Sequence, residues 1–463
     1  MSKKYVFVDW SNVEAGYGTP WPNRKTGTIY PWGIEIKAHR PRVTVEPVMI
    51  PDKPWEQTCL NCYATFLKID GKIRVWYEAI PPEEGGNIDM SSLLCYAESE
   101  DGIHFTKPNL GVFEYHGSKE NNIVKNVHGT TVLYDKNAPE SERYKMIRTI
   151  YIDKPTGGHS SSVYGAVSPD GIHWTDLDDV ILDNPSDTQN FLSVDDKGEY
   201  AIYTRQVRGY PKRRRSIAVS RSKDFSKFPK PTMLLHSDPT DPPDWDYYTS
   251  GYHRWPGAED AHLMLIDMFH RVQDTFDVHL ALSSDGMIWY RPLGQQAYLA
   301  TGEHGEFDAM TVSSTNGIID MEDGTWNIYI MTSPRGHNDD RIDYPWLPYG
   351  GYWKATLRED GFTSIHAETR GEFHTVPVKL TDTLQVNAAM LNRGFVKVGL
   401  FDPETQEPVP GFTTEDCDPL ERNKIWQTVS WKGSSDLSQF AEGKKKYQIR
   451  FEMFKSDLYA FKV

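Results

Sequence analysis

The chain repeats one kind of turn five times. Its fullest copy is Ser168-Pro169-Asp170-Gly171-Ile172-His173-Trp174. The others are Ser99-Glu100-Asp101-Gly102-Ile103-His104-Phe105, Ser222-Lys223-Asp224-Phe225, Ser284-Asp285-Gly286-Met287-Ile288-Trp289 and Arg358-Glu359-Asp360-Gly361-Phe362. Each follows a short strand-like run, such as Val163-Tyr164-Gly165-Ala166-Val167. In such a turn Asp bonds its own backbone and Gly takes the positive-φ position. The spacing of Asp101, Asp170, Asp224, Asp285 and Asp360 leaves room for about four strands per interval. A repeat of that period built from strands alone is one blade of a β-propeller, and five copies predict five blades. Five unrelated hairpin turns in a sandwich are the competing arrangement, but they do not explain why strand pattern and turn recur together.

At 463 residues the chain is too long for one sandwich and fits a propeller plus a smaller domain. Its formal net charge of −15 argues against a nucleic-acid partner, because phosphate backbones require a basic face. The one basic run, Lys212-Arg213-Arg214-Arg215, reads as a hairpin cap, with contact to an anionic sugar as the sharper alternative. Cys59 and Cys62 form a C-x-x-C with no second pair to complete a zinc site, so they read as packed thiols, as do Cys95 and Cys417. No apolar stretch reaches transmembrane length, and no membrane partner is expected. The opening Met1-Ser2-Lys3-Lys4-Tyr5 runs straight into Val6-Phe7-Val8 without a signal peptide, which leaves a cytoplasmic protein or one whose leader has been removed.

Read in order, residues 1–50 form an N-terminal lead-in segment expected to pack on the propeller. Residues 51–380 hold the blades, and Asp70-Gly71 marks a hairpin in the first of them. After Leu380 the pattern changes. Alternating runs such as Gly394-Phe395-Val396-Lys397-Val398-Gly399-Leu400 and Tyr447-Gln448-Ile449-Arg450-Phe451 predict a β-sandwich over 381–463. The fold class is therefore all-β: a five-bladed propeller followed by a small C-terminal β-sandwich.

The repeated S-x-D-G-x-x-W turns resemble those of the five-bladed propeller glycoside hydrolases, the invertase-like and arabinanase-like families. Pro54-Trp55-Glu56, Trp76-Tyr77-Glu78, Asn121-Asn122-Ile123 and Asp187-Thr188 add to the resemblance, as openings or second strands of blades. The end of the chain, with Leu384-x-Val386-Asn387 and Leu458-Tyr459-Ala460-Phe461, is similar to the sandwich of bacterial family 32-like proteins. The resemblance implies a carbohydrate substrate and a pocket at the propeller axis. It carries no catalytic residue over by motif. Where invertases open blade one with W-x-N-D-P-N-G, this chain has Trp55-Glu56-Gln57-Thr58.

Glycoside cleavage typically needs two carboxyl groups flanking the scissile bond. In a propeller these come from different blades, near the starts of innermost strands. The candidates are Asp187, Glu56, Glu78, Asp308 and Asp246. Each could equally be a turn-forming residue. Glu56, Asp187 and Asp308 are expected to share one pocket. Asn122 and Trp55 are suited to binding sugar hydroxyls and rings. Arg205 could hold a carboxylate or an acidic sugar, and His270 or His337 could serve as rim ligands or a general acid. The histidines are scattered rather than spaced as H-x-x-x-H, so neither a metal set nor a cofactor is expected. The predicted activity is an exo-acting glycoside hydrolase. Two rivals remain: a sugar-binding propeller without catalysis, and a phosphorylase that would use Arg205, Arg208 and Arg271. Homo-oligomer formation stays open.

Overall fold

The computed structural model describes residues 2–15, 31–82, 92–153, 159–208, 214–338, 349–405 and 407–463. The chain is all-β, built as five antiparallel meanders and one larger C-terminal sheet. Blade 1 runs Cys59–Ile69, Lys72–Ile80, Leu93–Ser99 and Ile123–Asn126. Its first hairpin turns on Asp70 and Gly71, both at positive φ, as the sequence requires. Blade 2 runs His128–Tyr134, Tyr144–Asp153, His159–Ser168 and Thr175–Leu182. Blade 3 runs Phe191–Val194, Tyr200–Arg208, Arg214–Ser222 and Thr232–Leu235.

Blade 4 starts on a broken inner strand, Trp245–Thr249 and Tyr252–Arg254, followed by His262–His270 and Thr275–Ser283. The break falls at Gly251, where a Cβ would stand 1.9 Å from the Leu265 carbonyl oxygen, so only glycine fits. Blade 5 contains Thr311–Ser314, Ile319–Asp320, Thr325–Ser333 and Gly351–Arg358. Its outer edge is covered by Arg42–Val43, from the other end of the chain. The ring closes on the inside as well: across blades 1 and 5 the Phe66 N–H donates to the Asn316 carbonyl at 2.7 Å and the Asn316 N–H to the Ala64 carbonyl at 2.9 Å.

Five apolar cores lie between consecutive blades. Val75 and Tyr329 share the core between blades 1 and 5, and Trp76 and Met146 that between 1 and 2. Val163 and Ile202, Tyr203 and Met264, and Leu265 and Trp326 share the remaining three. Five such interfaces make a closed ring of five blades.

The repeated turn fastens these interfaces. Asp101 accepts the N–H groups of Ile103 and His104 at 2.8 Å, and the Ser99 hydroxyl accepts that of Gly102. The His104 N–H, then the His104 ring and Ile103, hold the Asp101 carboxyl well below the usual range. Asp170 and Asp285 are bonded in the same way. The tightened loop then docks on the preceding blade. The Gly171 carbonyl accepts the Trp76 indole N–H at 2.6 Å, and the Gly102 carbonyl accepts the Tyr329 hydroxyl at 3.0 Å.

Two copies differ from the expected pattern. Asp224 has no glycine partner and binds Ser226, while Phe225 packs into the core shared with blade 2. Asp360 is itself at positive φ, and its buried carboxylate accepts from Lys4 Nζ and Trp255 Nε1, both at 2.8 Å. The turn was expected to end each blade. Instead, in blades 1 to 3 a fourth strand follows it. Ile123–Asn126 is thus the outer strand of blade 1, not the opening of blade 2.

The C-terminal sheet is ordered Glu35–Ala38, Thr363–His374, Gln448–Lys462, Gln385–Asp402 and Glu407–Pro408, with Lys4–Val6 and Lys424–Thr428 added at the sides. Bulges in its long strands bend the sheet over one apolar core that includes Phe7, Phe373 and Phe451. Strand Thr363–His374, ahead of residue 380, already pairs here. Of the first fifty residues, Lys4–Val6 and Glu35–Ala38 also join this sheet, and Arg42–Val43 joins the propeller.

Candidate active site at the propeller axis

The inner strands all bring their same ends to one mouth of the axis. A cavity of about 340 Å³ opens there. Blade 1 supplies Asn61, Cys62 and Tyr63; blade 2 supplies His128; Asp187 stands just before the inner strand of blade 3. Blade 4 gives Tyr248 and Asp267, and blade 5 gives Thr311 and Ser313, with Arg335 and His337 beyond its second strand. A second hollow of about 570 Å³ adjoins it and shares Asp187 and Arg215. Arg205, Asp246 and Arg271 complete that wall. A further hollow, lined by residues such as Phe66, Val132, Leu192, His253 and Asn316, has Asp70, Asp320 and Glu322 as its acids among the described residues, and all three are solvent-exposed.

Asp187 is the accessible carboxylate of the site. Its side chain is 47% exposed and forms an ion pair with Arg205, which is almost wholly buried. The Arg205 guanidinium lies over the Tyr248 ring at 4.7 Å, and that of Arg215 at 5.0 Å. Two cations therefore clasp one ring beside one carboxylate.

Asp267 is the second carboxyl on the cavity, and it is 1% exposed. It accepts the Ser314 N–H at 2.7 Å, the Thr249 hydroxyl at 2.8 Å, and the Ser313 and Ser314 hydroxyls. Burial outweighs these donors and pushes its carboxyl up to about 6. It escaped the sequence reading because it lies mid-strand. The signal was present in Leu265-Ile266-Asp267-Met268-Phe269, an acid inside an otherwise apolar run.

The expectation that Glu56, Asp187 and Asp308 share one pocket is corrected: Asp187 alone of the three lines it. Glu56 is wholly buried and fully engaged. It accepts from Tyr77 at 2.5 Å, from Lys107 at 2.7 Å and from the N–H groups of Asp52 and Lys53. Asn122 is likewise internal to blade 1, bonded to Trp55, Tyr77 and the Tyr96 carbonyl, and this takes Trp55 out of the cavity with it. Asp308 sits in the loop before blade 5, where burial raises its carboxyl.

Glu78 lies one layer behind the cavity wall. It accepts the Thr130 N–H at 2.8 Å and stands 3.2 Å from Nδ1 of His128, which does reach the cavity. Asp246 is committed to three contacts of 2.8 to 2.9 Å with the Arg215 N–H, the Arg215 guanidinium and Arg271, so it organises the arginines. His337 lines the cavity, with Nε2 3.3 Å from the Tyr248 hydroxyl. His270 turns away from it, toward Asp277 and Trp245. There the scattered histidines do converge: His270, Asp277 and His279 bring ligand atoms within 4.8 Å of one another.

Of the basic run, Lys212 and Arg213 lie outside the described residues, as does the side chain of Arg208. Arg214 donates to the carbonyls of Pro242 and Trp245, which ties blade 3 to the start of blade 4 rather than capping a hairpin, and Arg215 faces both hollows. The four cysteines are free, and burial pushes the Cys59 thiol up to about 12.

Five meanders packed in a ring about one axis make the fold a five-bladed β-propeller. The chain is similar to an N-acetylgalactosamine deacetylase from F. plautii, solved in complex with blood group B trisaccharide. Identity is 12%, the TM-score is 0.50, and the match covers 71% of this chain and 97% of that one. It is also similar to a family 32 β-fructofuranosidase of Bombyx mori, with 10% identity, a TM-score of 0.46, and 89% and 93% of the two chains covered. The catalytic domain of a family 62 α-L-arabinofuranosidase from Coprinopsis cinerea matches at 11% identity and a TM-score of 0.45, over 69% of this chain and 97% of that one. At 12% identity the likeness to the deacetylase is one of fold alone. No protein-family model and no curated protein matches the chain.

Proposed function

We propose that the chain is a glycoside hydrolase that takes a sugar end into the axial cavity, with Asp187 as the carboxylate acting on the glycosidic bond. The observation that carries this reading is the pairing of two carboxyls in unlike environments on one cavity. Asp187 is open to a ligand and charge-paired, whereas Asp267 is buried and retains its proton to about pH 6. A carboxyl that burial keeps protonated, beside one that is exposed and ion-paired, is how one site provides both an acid and a base near neutral pH. Tyr63 and Tyr248 supply ring surface, and Asn61, Ser313 and Asn338 supply groups for hydroxyls.

The arginine-lined hollow favours a second reading, in which the substrate is anionic or phosphate is the acceptor. Arg205, Arg215 and Arg271 surround a space continuous with Asp187. The two readings separate in one experiment. The protein is incubated with plant, marine and host glycans, with and without inorganic phosphate. Free sugar in both arms supports hydrolysis, and a sugar 1-phosphate formed only with phosphate supports the alternative. Asp187→Asn keeps shape but cannot exchange a proton, so turnover should drop about 10²–10⁴-fold with an unchanged melting temperature. Near-normal turnover by Asp187→Asn would reduce Asp187 to a turn residue. Binding without any released sugar would favour a non-catalytic propeller.

A further inference from the structure

We propose that His270, Asp277 and His279 form a binding site for a divalent transition metal, with zinc the fitting ion, between blades 3 and 4. Strands His262–His270 and Thr275–Ser283 pair antiparallel, with Met268 opposite Asp277 and Ile266 opposite His279. Asp277 and His279 therefore share a face, and His270 lies diagonally across on the same face. That face is the one packed toward blade 3, since Ile266 and Met268 belong to the core between those blades. The triad stands beside the apolar Ile266 and Met268 on that face.

Three observations point to an ion. First, the separations are short: His270 Nε2 and His279 Nε2 stand 3.0 and 3.1 Å from the same oxygen, Asp277 Oδ1. Second, none of these three atoms has a hydrogen-bond partner among the described residues, although both histidines are more than nine-tenths buried. The ring nitrogens are close to the oxygen but not aimed at it. A shared ion produces that geometry. With metal–ligand bonds of about 2.0–2.2 Å, nitrogen and oxygen stand roughly 3.0–3.4 Å apart, and each nitrogen points beside the oxygen at the ion. Third, the donor set is selective. Two imidazoles and one carboxylate suit zinc and its neighbours, whereas calcium and magnesium take oxygen ligands. Without an ion, these three buried atoms have only one another, in contacts that miss hydrogen-bond geometry, which folded proteins seldom tolerate.

The surroundings hold the ligands in place. The Trp245 ring meets the edges or faces of both imidazoles, at 4.8 Å for His270 and 5.3 Å for His279. Trp245 pairs with His270 in register and precedes Asp246, the residue that orders Arg215 and Arg271. An ion here braces the strand behind the arginine-lined hollow.

The test uses the full chain, freed of metal with a chelator and titrated with Zn²⁺ by calorimetry. A parallel titration with Co²⁺ reads its ligand-field absorption. The expected result is one saturable site per chain, a raised melting temperature with Zn²⁺, and a cobalt spectrum of low-symmetry coordination. Asp277→Asn preserves shape, and it should weaken Zn²⁺ binding at least ~10-fold and abolish the melting shift. His279→Gln should do the same. If His279→Gln fails to fold, the Asp277→Asn result decides. Absence of a saturable site, or equal affinity in wild type and Asp277→Asn, overturns the proposal and assigns any bound zinc to surface histidines.

Discussion

Replacing Asp267 by Asn should change how stability depends on pH. Asp267 is wholly buried in the middle of strand His262–His270, and burial pushes its carboxyl from 3.8 up to about 6. The folded chain therefore keeps the Asp267 proton over a range where the unfolded chain has lost it. Below about pH 4 both states are protonated, and the group contributes nothing. Between about pH 4 and pH 6 the folded state binds more protons, so stability falls as pH rises. Above about pH 6 the full penalty applies. A shift of about two units at 1.36 kcal/mol per unit amounts to roughly 3 kcal/mol.

Asn does not titrate. Its amide also meets the Ser314 N–H, which costs stability, but that cost is the same at every pH. Urea unfolding of both proteins at steps from about pH 4 to pH 7 isolates the effect. The stability of wild type minus that of Asp267→Asn should fall by about 3 kcal/mol across the range. A flat or rising difference would refute the reasoning. It would mean that the four donors around Asp267 outweigh its burial and keep the carboxylate ionised.

Two further predictions concern the ring. Lys4→Met removes the cation from Asp360, whose carboxylate is fully buried, and should cost about 3–5 kcal/mol; a urea midpoint close to wild type would contradict this. Gly171→Ala places a Cβ 2.5 Å from the Trp76 ring at φ +79°, whereas Gly71→Ala, at φ +78°, meets nothing within 4 Å. Both changes carry the left-handed cost of about 1–2 kcal/mol. Only Gly171→Ala should add a docking loss of about 1–3 kcal/mol, and equal melting temperatures for the pair would show that the turn does not fasten the blades.

What the sequence revealed was its local chemistry. A Ser-x-Asp-Gly turn is satisfied by atoms two or three residues away, so it can be read without knowing the fold. Five such signals were enough for five blades. Blade limits were less legible, because a turn does not tell whether another strand follows it. The pairing of Arg42–Val43 with Gly351–Arg358 had no local signal, since it depends on ring closure. The same division holds at the site. That Asp187 lines the cavity follows from its place before an inner strand. Glu56 and Asn122 were misread because the groups that consume them, Lys107 and Tyr96, are remote in sequence or on another strand. His270 was read as a rim residue of the axis, and Asp277 and His279 were passed over, because the convergence of the three depends on strand register rather than spacing.

Repetition and chemistry occupy different parts of the molecule. The repeated turns and the rings they dock on, Trp76 and Tyr329, lie at the interfaces between blades, where most of the apolar burial is. Burial of this kind is the main favourable contribution to folding, so the interfaces must resemble one another for the ring to close. The axis carries no such demand. Each blade can present a different group there: Asn61, His128, Asp187, Asp267 and Ser313, in order around the cavity. A propeller that only bound sugar at equivalent sites would repeat its ligands along with its turns. This chain repeats the fasteners and varies the axis, which is what a single asymmetric reaction site requires.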